Sequence, residues 1–165
     1  MSKIIIIRGP LGIGKSTISK KLAKDLDAEY FSVDELLTKN KLDVIDFEIG
    51  FIPEENFLKI NELIHPEIME NINKNKSVVI DGNFYHKTVL EHLLSKFNQK
   101  DAFVFTLKAN KDICIKRDSQ REKPHGVVAA TAVHELVSRF DYGEVILNED
   151  DDIEEKIKLI KTKLE

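Results

Sequence analysis

The chain is 165 residues long, 42% hydrophobic and 33% charged, which predicts one globular domain with a sizeable core and argues against disorder. Its formal net charge of −4 gives no general attraction to DNA, RNA or anionic lipid, and a single cysteine, Cys114, excludes an intrachain disulfide. No apolar run approaches the ~20 residues that span a bilayer, and the short run in MSKIIIIRGP is no signal-peptide core. The expected compartment is therefore the cytoplasm, with no membrane partner.

In chain order, the first predicted element is a strand over 3–8 (KIIIIR), a continuous apolar run of the kind buried on both faces of a parallel sheet. A helix with apolar spacing at Ile18, Leu22 and Leu26 follows over 15–26. Further strands are expected at 29–33, 76–81, 102–107 and 143–147, and further helices at 54–74, 86–98, 110–121, 129–140 and 152–164. Strands alternating with helices make a doubly wound α/β fold. The interval 38–53 fits no periodic template and reads as an insertion on the acceptor side. Carboxylates of the run NEDDDIEE at 148–155 fit the first turn of the last helix, where the helix dipole favours them.

Between the first strand and first helix stands GPLGIGKST, in which Gly9, Gly14, Lys15 and Ser16 satisfy G-x-x-x-x-G-K-[ST]. Glycines let backbone N–H groups turn around phosphate oxygens, and the helix N-terminus adds positive potential. The predicted nucleotide contacts are Gly9, Gly12, Ile13, Gly14, Lys15, Ser16 and Thr17. Lys15 would bridge the β- and γ-phosphates of ATP, and the Ser16 hydroxyl would hold Mg²⁺. A GTPase is excluded by spacing: in ANKD (109–112) Asp112 directly follows Lys111, and DGNF (81–84) lacks the switch pattern. Asn110 and Asp112 read instead as a helix start.

Three further places complete the pattern. Asp34, at the end of the second strand, should face the acceptor of the γ-phosphate and take the proton of an attacking hydroxyl. A competing reading makes Asp34 the cap of a helix beginning at Glu35, with Ser32 at capping-box spacing. Asp81, ending the third strand, would meet Mg²⁺ or position the acceptor together with Asn83, whereas His86 reads as a packing or surface residue. Arg117 and Arg121 lie four apart on one helix face and open a lid over 117–128, where they would clamp phosphate, or else pair with Asp118 or Glu122.

In this order, the motifs resemble the small P-loop kinases of the nucleoside-kinase type. The branch they are most similar to contains phage polynucleotide kinase, seryl-tRNA kinase, chloramphenicol phosphotransferase and zeta-type toxins. The resemblance covers about the first 140 residues. It implies a three-layer P-loop NTPase sandwich with a parallel sheet in the order 2-3-1-4-5, Asp34 as general base and Arg121 as the lid arginine. Two departures stand out. Residues 35–37 are Glu-Leu-Leu where polynucleotide kinase has an acceptor-phosphate arginine, and Asp81-Gly82-Asn83-Phe84-Tyr85 replaces D-G-[FY]-P-R of the monophosphate kinases. No arginine occurs between Arg8 and Arg117, and the acceptor side carries Asp43, Asp46, Glu48, Glu54 and Glu55.

The expected function is transfer of the γ-phosphate of ATP, with Mg²⁺, to the hydroxyl of a neutral or cationic small molecule. Two alternatives stand beside it: a kinase acting on a nucleic-acid end or tRNA-linked group, and an ATP-hydrolysing regulator or assembly factor without an acceptor.

Overall fold

The computed structural model describes residues 2–165. Its elements run β1 (Ile4–Arg8), α1 (Lys15–Asp25), β2 (Glu29–Ser32), α2 (Val33–Lys39), α3 (Glu54–Asn73), β3 (Val78–Gly82), α4 (Lys87–Ser95), β4 (Ala102–Lys108), α5 (Lys111–Ser119), α6 (Val127–Val137), β5 (Glu144–Leu147) and α7 (Ile153–Leu164). The five strands form one parallel sheet in the order β2-β3-β1-β4-β5. This is the three-layer α/β architecture that the resemblance implied.

The isoleucine run explains the centre of the sheet. Side chains alternate across a strand, so Ile4 and Ile6 enter the layer built from α2, α3, α4 and α6, while Ile5 and Ile7 enter the layer of α1, α5 and α7. All four are at most 2% exposed, so the strand contributes burial to both cores at once. At about 2 kcal/mol per buried isoleucine, β1 anchors the segment that follows it.

Arg8 closes β1 with no solvent exposure. Its guanidinium donates to the carbonyls of Phe140 (2.9 Å) and Val137 (3.0 Å) and to Thr106 Oγ1 (3.2 Å), and stacks 4.2 Å over the Phe140 ring. Burial lowers its pKa to about 10, partly opposed by the Asp141 charge.

Most element boundaries shift by only a few residues from the sequence expectation. The larger correction is α2. The second strand stops at Ser32, whose Oγ accepts from Glu35 N, and the helix begins at Val33. Ser32, not Asp34, is therefore the cap, and Asp34 sits in the first turn. Asn110 caps α5 through Asp112 N, as expected, and Asp152 caps α7 with Glu154 and Glu155 in its first turn. Between α2 and α3, residues 40–53 form a loop with one antiparallel bridge, Asp46–Phe51. Among the described residues, no helix is long and apolar enough to cross a membrane.

Candidate functional site

The phosphate loop is an anion cradle by construction. Helix α1 starts at Lys15 behind Gly14 (φ 94°), with no capping side chain and no acidic residue in its first turn. Its first N–H groups and positive dipole end are thus left for a ligand. Gly12 (φ 74°) lies so close to α5 that an added Cβ would stand 2.1 Å from the Cys114 carbonyl oxygen. Lys15 Nζ, buried under the loop, donates to the Pro10 carbonyl (2.8 Å) and to Asn83 Oδ1 (3.0 Å). Burial pulls the ammonium below its ordinary value, while the charges of Asp34 and Asp81 act to hold it up.

Asn83 joins this lysine to the other side of the site, its Nδ2 lying 3.5 Å from Asp34 Oδ1. The chain turns immediately after it through Phe84, a bulky residue at φ 45°. Deeper in, Asp81 is 1% exposed and accepts from Tyr30 Oη at 2.7 Å. Burial pushes the Asp81 carboxyl up, and the hydrogen bond from Tyr30 together with the Lys15 charge draws it back. Burial beside the same carboxylate drives the Tyr30 phenol well above its ordinary value.

Above the loop opens a cavity of about 760 Å³. Its floor is the phosphate loop from Leu11 to Thr17. One wall is the start of α2, with Asp34, Glu35, Thr38 and Lys39; the opposite wall presents Arg117, Gln120, Arg121 and His125. Asn148, Asp150, Asp151 and Ile153 close the third side. Of the sequence-predicted residues, Gly12, Ile13, Gly14, Lys15, Ser16, Thr17, Asp34, Arg117 and Arg121 meet here. Gly9 lies beneath the loop, where a Cβ would meet Ile13 and the Leu107 carbonyl, each at 3.0 Å. Asp81 and Asn83 do not line the cavity; Asn83 touches the site through Lys15 and Asp34, and Asp81 is held by Tyr30.

The two arginines have different surroundings. Arg117 donates to the carbonyls of Asn148 (2.7 Å) and Asp150 (3.0 Å), so it braces the β5–α7 loop. That loop is also tied to the phosphate loop, because Asn148 Nδ2 donates to the Ile13 carbonyl at 2.6 Å. Arg121 is more exposed and lies 3.7 Å from Asp118 Oδ1, the pairing that the sequence offered as the competing reading. Sequence reasoning missed Tyr30 and His125. Tyr30 stands 51 residues from Asp81 and carried no local signal, whereas His125 lies seven residues from Asp118, a spacing meaningful only once the loop folds back.

Comparison with known proteins gives a consistent picture. A family model described as an AAA domain matches residues 4–142. The cytidylate kinase of Sulfurisphaera tokodaii is 37% identical over 84 residues, covering 48% of this chain and 45% of its own. The tRNA dimethylallyltransferase of Limosilactobacillus reuteri is 31% identical over 119 residues, covering 61% of this chain and 39% of its own. The chain thus spans less than half the length of these curated relatives. Among solved structures, a sugar kinase from Janibacter sp. HTCC2649 superposes with a TM-score of 0.75 at 15% identity, over 98% of this chain and 94% of that one. At that identity the likeness is one of fold.

Proposed function

The chain belongs to that AAA-domain family, and from the residues gathered around its phosphate loop we propose an ATP- and Mg²⁺-dependent phosphotransferase acting on the hydroxyl of a small polar acceptor. One observation carries the reading: Asn83 links Lys15 to Asp34, and both charged side chains line the same cavity. A switch ATPase needs the lysine but has no use for a carboxylate held opposite it.

In this reading Lys15 leaves the Pro10 carbonyl to contact the β- and γ-phosphates, and the bare N-terminus of α1 receives their oxygens. Asp34 accepts the proton of the acceptor hydroxyl as the acceptor oxygen bonds to Pγ and the bond from Pγ to the bridging oxygen breaks, releasing ADP. Arg121 faces the charge that spreads over the transferred group. Arg117 serves the nucleotide end instead, holding the loop at Asn148 with its guanidinium. Ser16 and Asp81 would hold Mg²⁺, both offering hard oxygen donors beside the buried Lys15. When bound, the ion would neutralise phosphate charge.

The acceptor wall favours a polar molecule without a phosphate. Asp34 and Glu35 would repel a phosphate, and among the described residues Lys39 is the one cation lining that wall. No phenylalanine, tyrosine or tryptophan lines the cavity among the described residues, and its imidazole, His125, stands apart from α2, so a nucleobase acceptor would find no ring on the acceptor wall to stack on. Wild-type protein should bind ATP with Mg²⁺, and Lys15→Met should weaken that binding by about a hundredfold. Asp34→Asn should keep nucleotide affinity and lose transfer by about 10²–10⁴-fold. ADP release is then screened against hydroxyl compounds and 5′-hydroxyl oligonucleotides. Response to the oligonucleotides alone would replace the small acceptor with a nucleic-acid end, and full transfer by Lys15→Met would overturn the site.

A further inference from the structure

The segment joining α5 to α6 is organised around one carboxylate. Asp118, on the last turn of α5, has a side chain only 1% exposed. Its Oδ2 accepts from the backbone N–H groups of His125 (3.0 Å) and Gly126 (3.1 Å). Its Oδ1 lies 2.9 Å from His125 Nδ1, and a carboxylate only accepts, so that ring nitrogen carries the proton. Burial raises the Asp118 carboxyl, yet these hydrogen bonds outweigh it and hold the group below the ordinary carboxylate range.

Two backbone bonds are enough to shape the turn. The third fixes an imidazole that is 45% exposed and would otherwise be free to rotate. With Nδ1 engaged, Nε2 lies on the far side of the ring and has no protein partner among the described residues. His125 lines the cavity together with Arg121, whose Nη1 stands 3.2 Å from His125 Nδ1 and 3.7 Å from Asp118 Oδ1, so that the carboxylate faces both donors.

We propose that His125, oriented by Asp118, is a further phosphate-contacting residue of this site, its Nε2 donating to an oxygen of the γ-phosphate beside Arg121. The inference rests on the nucleotide reading of the phosphate loop. No covalent step is involved: Nδ1–H stays on Asp118, and the contact to the phosphate requires a proton on Nε2 as well. Asp118 touches no substrate; it is a positioning residue that acts through His125 and Arg121.

The test compares ADP with the non-hydrolysable analogue AMPPNP, each with Mg²⁺, by titration calorimetry on wild type, His125→Gln and Asp118→Asn. Wild type should bind AMPPNP more tightly than ADP. His125→Gln should shrink that preference by about tenfold while its ADP affinity stays close to that of wild type. Asp118→Asn should shrink it too, since a loosened ring no longer presents Nε2. An undiminished preference in His125→Gln overturns the proposal. So does an equal loss for both nucleotides, which would mark a merely structural residue, and so does a wild type that binds the two alike. Failure of wild type to bind either nucleotide would refute the phosphate-loop reading itself, a result distinct from intact binding with an unaltered preference.

Discussion

Arg8→Met tests how the end of the central strand is held. The guanidinium has no solvent exposure and no paired carboxylate, and lowering its pKa to about 10 corresponds to a penalty of about 3 kcal/mol on the charged form. Its Nε is without a partner, which adds about 1 kcal/mol. Against this stand two charge-assisted bonds, to Phe140 O and Val137 O, at about 2 kcal/mol each. The bond to Thr106 Oγ1 adds about 1 kcal/mol and the face of Phe140 about 2. The balance favours the arginine by about 3 kcal/mol. Methionine fills most of the volume but leaves the Val137 and Phe140 carbonyls dry. Urea unfolding followed by circular dichroism should therefore show Arg8→Met destabilised by about 3 kcal/mol, with a melting temperature lower by roughly 10 °C. The sign of the pH dependence is also fixed. Because the folded pKa is depressed, the penalty is fully present below about pH 10, and the wild type should gain stability as the pH rises through that value. A variant within about 1 kcal/mol of wild type would refute the claim that donated bonds outweigh desolvation here.

Two further outcomes follow from the geometry of the site. Gly12→Ala combines a left-handed φ of 74° with a Cβ placed 2.1 Å from the backbone of α5, so the loop or the helix must move; calorimetry should show nucleotide affinity lower by about a hundredfold or more, and wild-type affinity would mean that the loop yields without cost. Asp118 has a depressed carboxyl, so its contribution is present above the ordinary carboxylate range and disappears as the pH falls through its lower folded value. The protection factors of the His125 and Gly126 amides, corrected for the intrinsic pH dependence of exchange, should fall on acidification in wild type, while Asp118→Asn should show low protection at every pH; pH-independent protection in wild type would contradict this.

What the sequence disclosed depended on range. The run Ile4–Ile7 and the phosphate loop are contiguous signals, and each marked its element correctly. Helix α2 was harder to see because Val33 is β-branched and continues the apolar strand EYFSV, while the helix is only seven residues long. The Ser32 cap was visible, but not that it ends the strand one residue earlier. Residue His86 was read as packing, and its Nε2 meets the Ile52 carbonyl while its ring packs against Phe51 and Phe57. Arg8 drew attention only as a number in a count. Its partners lie 98 to 132 residues away, so no local pattern could have announced a buried arginine. Arg117 and Arg121 looked equivalent four residues apart, and only the fold, by placing the β5–α7 loop over one of them, separates their roles.

That separation bears on where an acceptor would be chosen. The sequence reads 38–53 as an insertion on the acceptor side, and of that interval Thr38 and Lys39, which end α2, line the cavity. The remainder is tied back away from it: Ile52 N donates to Tyr85 Oη at 3.2 Å, and the Phe51 ring meets Tyr85 edge-on at 5.9 Å. On the proposed reading, an acceptor hydroxyl delivered to Asp34 must lie along the first two turns of α2, so the group next to it is Glu35. Glu35 is largely exposed and lies 3.6 Å from Lys20, so it adds only the repulsion of a solvated charge, about 1 kcal/mol or less. On that reading, the Asp34 carboxylate beside the transferred group would disfavour phosphorylated acceptors, with a smaller share from the solvated Glu35.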